Sequence, residues 1–226
     1  MDEKQLAKII DHTLLSATAT SGDIKKLCEE AKEYQFYSVS VNGRWVGLAA
    51  DILHRTGVKV DAVVSLPLGA DSTKAKAAAA KDAIFAGAGE IDMVADLAAI
   101  IEGDERFLVK QMNEVLQVCR SMRPAVLLKV IIEAAALTDE QKRFACEAAD
   151  RCRVDFVKTS TGMHAAGGAT TADVRLMKEA APHCKVKAAG GIRTAKQVLE
   201  FIEAGADRIG TSAGIQIIKE FAAGRF

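Results

Sequence analysis

Short apolar runs alternate along the chain with longer segments whose apolar residues recur every three or four positions. The short runs are apolar at nearly every position, which is typical of parallel strands covered on their far face. The longer segments have the spacing of amphipathic helices, and several begin after Ser or Thr and end at Gly. The pattern predicts eight strands, over residues 9–15, 38–42, 58–66, 90–94, 125–132, 154–159, 185–189 and 207–211.

Predicted helices fill the intervals between these strands and follow a short N-terminal helix near residues 2–9. Thr138 and Gln141 have the spacing of a capping box at the start of one of them. Eight strand–helix units without a linker predict a (β/α)8 TIM barrel that forms a single domain over residues 1–226. A doubly wound open sheet is the alternative, but eight strands favour closure. The helices are expected over residues 23–35, 44–55, 73–87, 104–122, 138–150, 171–181 and 194–205.

Four ionisable residues stand in the predicted strands where the pattern would place apolar side chains. They are Asp92, Lys129, Lys158 and Lys187. Inward residues near the carboxyl ends of barrel strands are usually the catalytic ones. Any one of these lysines could instead be a structural ion pair, or reach outward from a strand end. Four such residues in one barrel favour a functional site, because unpaired buried charge is costly.

Lys158 and Lys187 lie on consecutive strands, so their amines can approach each other. A second ammonium about 5 Å away, at an effective dielectric of about 20, opposes the first charge by roughly 3 kcal/mol. That energy lowers a lysine pKa by about two units, and burial acts in the same direction. One amine could then be neutral enough for Schiff-base chemistry, with Asp92 offsetting charge and shuttling a proton. These residues alone do not decide which lysine attacks.

Small residues and glycines follow the last three predicted strands, in Ser160–Gly162, Gly190–Gly191 and Gly210–Ser212. Glycines let backbone N–H groups approach an anion, and the loops after the last strands of barrels often bind phosphate. Each motif taken alone could be an ordinary tight turn.

Bulk composition excludes several classes of partner. Lys plus Arg and Asp plus Glu are equal at 30 each, and aromatic residues make up 5%. This balance argues against nucleic acid or an anionic membrane as a partner. The N-terminus lacks the apolar run of a signal peptide, and no apolar stretch predicts a membrane span. Five cysteines without CxxC spacing suggest free thiols and a cytoplasmic location.

The four histidines give little support for a metal. A catalytic zinc ion would need a histidine cluster at the barrel mouth. Here His12 and His164 could lie near the mouth, whereas His54 and His183 are expected on the surface. Lys74, Lys76 and Lys81 are expected to form a solvated helix face, and Met93 and Met112 to lie in the core. No metal site is expected from this pattern.

Seven stretches of the chain together resemble the deoxyribose-phosphate aldolase family, whose members are class I aldolases. The resemblance runs nearly end to end, and the pair of lysine-bearing motifs is specific to that family. The stretches are Ile10-Asp-His-Thr-Leu-Leu15, Pro67-Leu-Gly69, Gly89-Glu-Ile-Asp-Met-Val94, Leu128-Lys-Val-Ile-Ile-Glu133, Val157-Lys-Thr-Ser-Thr-Gly162, Lys187-Ala-Ala-Gly-Gly-Ile-Arg-Thr194 and Arg208-Ile-Gly-Thr-Ser212.

The resemblance implies a role for each matching residue. Lys158 would form the Schiff base with the acetaldehyde portion of 2-deoxy-D-ribose 5-phosphate, Lys187 would perturb its pKa, and Asp92 would transfer protons through water. The resemblance also suggests a homodimer and a reaction that uses no metal and no organic cofactor. Residues expected to contact the substrate or its phosphate are Asp11, Thr13, Lys129, Thr159, Gly162, Gly190, Gly191, Gly210 and Ser212.

The chain departs from the family pattern at a few positions. Ser40 stands where members often have a cysteine facing the pocket, which predicts higher tolerance to acetaldehyde; rapid inactivation by a reactive enal would contradict this. Ala79 and Ala95-Asp96 differ without bearing the chemistry, and Phe226 ends the chain where some members have a tyrosine used in proton transfer. Rival functions are another phosphate-binding barrel isomerase or lyase, and a non-catalytic sugar-phosphate-binding barrel.

Overall fold

The computed structural model describes residues 1–226, and its eight strands form a closed barrel in which neighbours are parallel. Asp11 in the first strand lies opposite Gly210 in the last, which closes the sheet. This confirms the predicted (β/α)8 barrel over the open sheet. The strands are β1 Ile10–Leu14, β2 Ser38–Asn42, β3 Lys59–Val64, β4 Glu90–Val94, β5 Leu127–Ile131, β6 Phe156–Lys158, β7 Lys185–Ala189 and β8 Arg208–Thr211.

Ten helices surround the barrel, with single 3₁₀ turns at Gly43–Trp45 and Ala134–Ala136. None of the ten combines the length and the apolar character needed to cross a bilayer. The helices are α1 Glu3–Ala7, α2 Ser21–Tyr34, α3 Val46–Leu53, α4 Thr73–Phe85, α5 Leu97–Glu102, α6 Glu105–Ser121, α7 Asp139–Cys152, α8 Thr171–Ala180, α9 Ala195–Glu203 and α10 Gly214–Ala222.

The helix boundaries follow from local side-chain chemistry. Thr138 accepts a hydrogen bond from the backbone N–H of Gln141, whose side chain accepts one from the N–H of Thr138, and this confirms the predicted capping box. Thr20 and Thr194 form equivalent boxes at α2 and α9. These reciprocal bonds satisfy N–H groups that have no partner within the helix, so each turn from strand to helix is fixed locally.

The two faces of the sheet differ in chemistry. Outward side chains are apolar and pack against the helices, and each buries enough surface to stabilise the fold by about 1.5–3 kcal/mol. They include Val39, Val41, Val60, Ile91, Met93, Leu128, Val130, Val157 and Val186. Inward positions on the same strands carry Asp, Glu, Lys, Arg and Ser, all buried. The main apolar core therefore lies between strands and helices, and the barrel interior combines the charged groups with a few apolar side chains such as Ile131 and Phe156.

Strand β6 and helix α5 differ most from the sequence expectation. Strand β6 has three residues, because its ladder with β5 and β7 runs only from Phe156 to Lys158, and the Ser-Thr-Gly segment turns away beyond it. Helix α5 was not predicted; its cap is the Asp96 side chain, which accepts from the N–H of Ala99, and it ends at Gly103 with a left-handed φ of 72°.

Lys76 does not belong to a solvated helix face, so that prediction was wrong. Its side chain is buried between α4, β4 and α6. The ammonium donates to the Val94 carbonyl at 2.8 Å and to the Gln111 side-chain oxygen at 2.9 Å. Burial lowers the Lys76 pKa to about 8, with partial opposition from Asp96 and Asp71. The same Gln111 oxygen accepts from the N–H of Asp96, so the bonds hold the chain where it leaves β4.

Candidate active site

A buried cluster of charged side chains fills the barrel interior below its carboxyl-terminal mouth. Its members come from seven of the eight strands, and β2 contributes two serines instead. The cluster sets four acidic side chains against four basic ones, and such pairing is how a protein interior tolerates charge. The carboxylates are Asp11, Asp61, Glu90 and Asp92, and the cations are Lys129, Lys158, Lys187 and Arg208.

Asp92 is the carboxylate of this cluster that contacts all three lysines. Its Oδ1 atom accepts from Lys129 at 2.8 Å, and its Oδ2 atom accepts from both Lys158 and Lys187 at 2.7 Å. Burial alone would raise the pKa of Asp92, but the three ammonium groups outweigh burial and hold that pKa well below its usual range. Asp92 is therefore an anion in the resting site.

Lys187 is held as a cation by three carboxylates. Its Nζ atom lies 2.5 Å from Asp11, 3.1 Å from Asp61 and 2.7 Å from Asp92. Burial opposes the charge, but the carboxylates outweigh burial and raise the pKa of Lys187 above its ordinary value. Lys129 has the same kind of environment, with Asp61, Glu90 and Asp92 within 3.0 Å, and its pKa is also raised well above normal.

Lys158 differs from the other two lysines because Asp92 is its only ion-pair partner. Burial lowers the pKa of Lys158, and the ammonium of Lys187 acts in the same direction, while Asp92 offsets only part of this. The two amines share one carboxylate oxygen, so they are separated by no more than twice 2.7 Å. The surroundings thus distinguish two lysines that the sequence left equivalent, and they favour a neutral amine on Lys158.

A second layer beneath the lysines fixes the carboxylates. Arg208 donates to Asp11 at 2.7 Å and to Glu90 at 3.2 Å, and its guanidinium stacks 3.5 Å from the Tyr37 ring centroid. Ser38 donates to the same oxygen of Asp11 at 2.7 Å. Burial raises the pKa of Glu90, and one of its oxygens has no hydrogen-bond partner. Arg208 and Ser38 therefore orient Asp11 toward Lys187.

Above the cluster, an open cavity of about 330 Å³ leads to Lys158. Its lining comes from the ends of β1, β6, β7 and β8. Gly210 keeps this region open, because a side chain there would lie 3.2 Å from Cε of Lys187 and 3.0 Å from Cβ of Ala189. The predicted site residues that line the cavity are Thr13, Lys158, Gly162, Gly190, Gly191, Gly210 and Ser212.

The mouth of this cavity carries backbone donors that the fold does not use. The N–H groups of Gly162, Gly191 and Ser212 donate to no acceptor within the chain. Gly162 and Gly191 have φ of 80° and 79°, a left-handed conformation that favours glycine and turns N–H groups toward a concave surface. Ser212 lies two residues before the N-terminus of α10. Such a set of donors at a helix start suits an anion.

The loop after β6 is held in place by Glu133. This residue is buried at the end of β5, has a left-handed φ of 54°, and accepts from the N–H of Thr161 at 3.2 Å. Thr161 in turn accepts from the N–H of Met163, and Thr159 bridges to both backbone groups of Ala189 at 3.1 Å. The loops after β6 and β7 are thus bonded to each other and to β5.

Three predicted substrate contacts do not reach the open cavity. Asp11 and Lys129 lie in the charged cluster below it, and the Thr159 hydroxyl is engaged by Ala189. Direct contact of these three residues with substrate stays a prediction. Ser40 faces the barrel interior next to Thr13, and its buried hydroxyl has no partner. The predicted aldehyde tolerance that rests on Ser40 also stays a prediction.

Sequence reasoning missed four charged residues of the site: Asp61, Glu90, Arg208 and the cavity-lining Arg193. Asp61 of β3 and Glu90 of β4 are register partners. Aligning the polar positions of the predicted strands with one another could have revealed this pair. Arg193 directly follows the glycine pair, so its position beside the N–H donors could also have been noticed.

The histidines form no cluster at the mouth. His12 precedes the cavity-lining Thr13 on β1, but its ring faces outward, bonds Glu30 at 2.8 Å and lies 4.9 Å from the Phe36 ring, so it does not line the cavity. His164 is exposed in the loop after β6. His54 and His183 are exposed as predicted, and His183 pairs with Asp150. Met93 and Met112 lie in the core, also as predicted.

Comparisons with known proteins agree with this geometry. A family profile described as "DeoC/LacD family aldolase" matches residues 5–220. A deoxyribose-phosphate aldolase of Alkaliphilus oremlandii is 49% identical over 216 residues, covering 95% of this chain and 96% of that protein. One from Carboxydothermus hydrogenoformans is 47% identical over 221 residues, covering 97% and 96%.

A solved structure extends the similarity to three dimensions. Deoxyribose phosphate aldolase from Aeropyrum pernix, described as tetrameric, superposes with a TM-score of 0.91 at 29% identity, covering 98% of this chain and 93% of that chain. The profile covers nearly the whole barrel, and the two sequence relatives exceed two fifths identity along their length. The chain therefore belongs to the DeoC/LacD family of aldolases.

Proposed function

We propose that this aldolase reversibly cleaves 2-deoxy-D-ribose 5-phosphate to D-glyceraldehyde 3-phosphate and acetaldehyde through a Schiff base on Lys158. The observation that carries the proposal is the position of Lys158. Its amine has a lowered pKa, a single carboxylate partner and a place at the floor of a cavity whose mouth suits a phosphate. The names of the sequence relatives supply the substrate.

The proposed reaction begins when the neutral amine of Lys158 attacks the C1 aldehyde of the open-chain sugar and water leaves. The resulting iminium draws electrons from the C2–C3 bond while the C3 hydroxyl loses its proton, which releases glyceraldehyde 3-phosphate. The remaining enamine is protonated at C2, and hydrolysis of the imine frees acetaldehyde and Lys158. Asp92, anionic and bonded to Lys158, is the acceptor that can relay these protons through a water molecule.

Lys187 contributes its charge rather than a bond to substrate. It is fully buried, it is surrounded by Asp11, Asp61 and Asp92, and it does not line the cavity. Its ammonium lowers the pKa of Lys158 and supports the anionic form of Asp92. The same environment makes Lys187 a poor nucleophile, since its lone pair is occupied by a proton at neutral pH.

The phosphate is proposed to bind at the mouth, between the loops after β6, β7 and β8. The free N–H groups of Gly162, Gly191 and Ser212 would donate to its oxygens, and Gly190 lets the loops approach. Arg193 lines the same cavity and supplies a cation for charge-assisted hydrogen bonds. Thr13 lines the opposite wall, where it can contact the sugar.

Reductive trapping tests this function. The protein is incubated with 2-deoxy-D-ribose 5-phosphate or acetaldehyde, treated with borohydride, and mapped by peptide mass, while glyceraldehyde 3-phosphate is measured by a coupled assay. We expect product release and a two-carbon adduct on Lys158. Product formed without an adduct would indicate another kind of lyase. Turnover of a different phosphosugar would indicate an isomerase. Binding of the sugar phosphate without product and without an adduct would indicate a non-catalytic barrel.

We further propose that residues 1–226 act as one domain in a cytoplasmic homo-oligomer. The family resemblance favours a dimer, while the Aeropyrum pernix relative is described as tetrameric. Light scattering coupled to size-exclusion chromatography measures the state directly. A mass of twice 24.0 kDa supports the dimer, and any other mass contradicts it.

A further inference from the structure

Asp61 is a fully buried carboxylate in the charged cluster to which the proposed chemistry assigns no step. It lies in β3, between Ser40 of β2 and Glu90 of β4 in register. Its Oδ1 atom accepts from Lys129 at 3.0 Å, and its Oδ2 atom accepts from Lys187 at 3.1 Å. It makes no contact with Lys158. Asp61 therefore divides the three lysines into two classes. Lys129 and Lys187 contact it, and Lys158 does not.

Asp92 alone could not make that division. Its two oxygens serve three amines, and Lys158 and Lys187 compete for the same Oδ2 atom. Without Asp61, Lys187 would keep Asp11 and Lys129 would keep Glu90, so each would exceed Lys158 by one carboxylate partner instead of two. Asp61 adds a second anion on the side of Lys129 and Lys187, so these two gain an attraction that Lys158 lacks at contact distance.

The other groups facing Asp61 are the remaining members of the cluster, and each has a fixed task. Arg208 holds Asp11 and Glu90 from below, and Asp11 contacts Lys187. Strand β2 offers only the hydroxyls of Ser38 and Ser40. The charged groups around Asp61 are thus Asp11 from β1, Glu90 and Asp92 from β4, Lys129 from β5, Lys158 from β6, Lys187 from β7 and Arg208 from β8.

We propose that Asp61 is a positioning residue that keeps the protons on Lys129 and Lys187 and thereby leaves Lys158 as the amine that reacts. The inference rests on the proposed Schiff-base function and extends it to the choice of nucleophile. Asp61 touches neither the cavity nor Lys158, so it acts through its two lysine partners.

Replacing Asp61 by Asn removes the charge and keeps the shape of the side chain. Both limbs of the pH profile of kcat/KM then move to lower pH. The acid limb, set by Lys158, moves down by about one unit, because the cluster has lost one negative charge. The alkaline limb, set by loss of the Lys187 proton, moves further, because Asp61 contacts that ammonium directly. A side chain that merely supported the fold would lower activity without moving either limb.

Glu90→Gln is the matched control. It removes one carboxylate from the same cluster, but Glu90 contacts Lys129 and Arg208 and neither Lys158 nor Lys187. We expect both limbs to move by less than half the shift in Asp61→Asn. Equal shifts in the two variants would overturn the assignment, since they would show that total charge, and not the placement of Asp61, sets the profile.

The experiment measures kcat/KM against pH for the parent, D61N and E90Q, with borohydride trapping of acetaldehyde on Lys158 in parallel. If D61N does not fold, D61S, which leaves room for water, takes its place. No adduct on Lys158 in the parent would overturn the proposed function. The other contradicting result is an adduct on Lys158 in the parent together with a pH profile of kcat/KM that, in the Asp61 variant, stays in place or moves to higher pH. That result would overturn this inference and leave the proposed function intact.

Discussion

Two regions of the molecule bury a lysine with opposite results. In the barrel interior, Lys187 meets three carboxylates and its pKa is raised. Between α4, β4 and α6, Lys76 is equally buried but meets a carbonyl and an amide oxygen, and its pKa falls to about 8. Burial is common to both, so the charge of the partners decides whether the amine keeps its proton.

Lys158 lies between these two cases. It is inside the charged barrel, yet it has one carboxylate where Lys187 has three. Its pKa moves in the same direction as that of Lys76, and a neighbouring ammonium reinforces the shift. The barrel thus contains both kinds of lysine at once, two that stay charged and one that can lose its proton. Lys187→Leu and Lys76→Met test that difference, and Gly162→Ala tests the mouth of the cavity above it.

Lys187→Leu is expected to have the largest effect. Loss of the neighbouring ammonium raises the pKa of Lys158, so the acid limb of kcat/KM moves up by about two pH units. Removing one partner of a buried ion pair also costs about 3–5 kcal/mol of unfolding free energy, because Asp11, Asp61 and Asp92 lose a counter-charge. Steady-state assays across pH measure the shift of the acid limb, and urea titration measures the loss of unfolding free energy. An unchanged pH profile would contradict the role given to Lys187.

Gly162→Ala is expected to have an intermediate effect, confined to the mouth. Alanine is strained at a φ of 80°, so the loop shifts and its N–H donor is misplaced. Loss of one charge-assisted hydrogen bond raises KM for 2-deoxy-D-ribose 5-phosphate about tenfold, with little change for unphosphorylated 2-deoxy-D-ribose. Gly103→Ala is the control, since Gly103 has a similar φ of 72° far from the cavity. Equal KM changes for both sugars would place the phosphate elsewhere.

Lys76→Met is expected to have the smallest effect, on stability and not on the pH profile of activity. The folded pKa of Lys76 is below its unfolded value, so folding is penalised while the group must be charged, and the penalty fades as pH rises through about 8. Between pH 7.5 and 9.5, the parent should therefore gain about 2 kcal/mol in unfolding free energy relative to the variant. Urea titrations at both pH values measure this. A gap that stays constant would show that Lys76 keeps its charge as Lys187 does.

The fold could be predicted because the relevant signals are local. An apolar run recurs in each unit, and Thr caps begin four of the helices. Eight strand–helix units of this kind favour a closed barrel. Helix α5 was missed because its cap, Asp96, and its end, Gly103, enclose only six residues. Lys76 was misplaced because the alanine-rich helix α4 offers little contrast between an apolar and a polar face.

The reactive lysines were visible because they interrupt apolar strands near their carboxyl ends. Asp61, Glu90 and Arg208 were not, because polar residues near the start of a strand are common and carry no signal by themselves. Their importance depends on which strand positions face each other across the barrel, and only the closed register supplies that. For the same reason the sequence could flag Lys158 and Lys187 as a pair but could not rank them.

The ionisation of the two barrel lysines themselves can be followed by NMR of protein with ¹³C-labelled lysine, with K158M and K187L used to assign the Cε signals. We predict that the Lys158 signal titrates below the ordinary lysine pKa of about 10.4, while the Lys187 signal titrates only above it. A Lys187 signal that titrates first, or two signals that titrate together, would contradict the claim that partner charge selects Lys158.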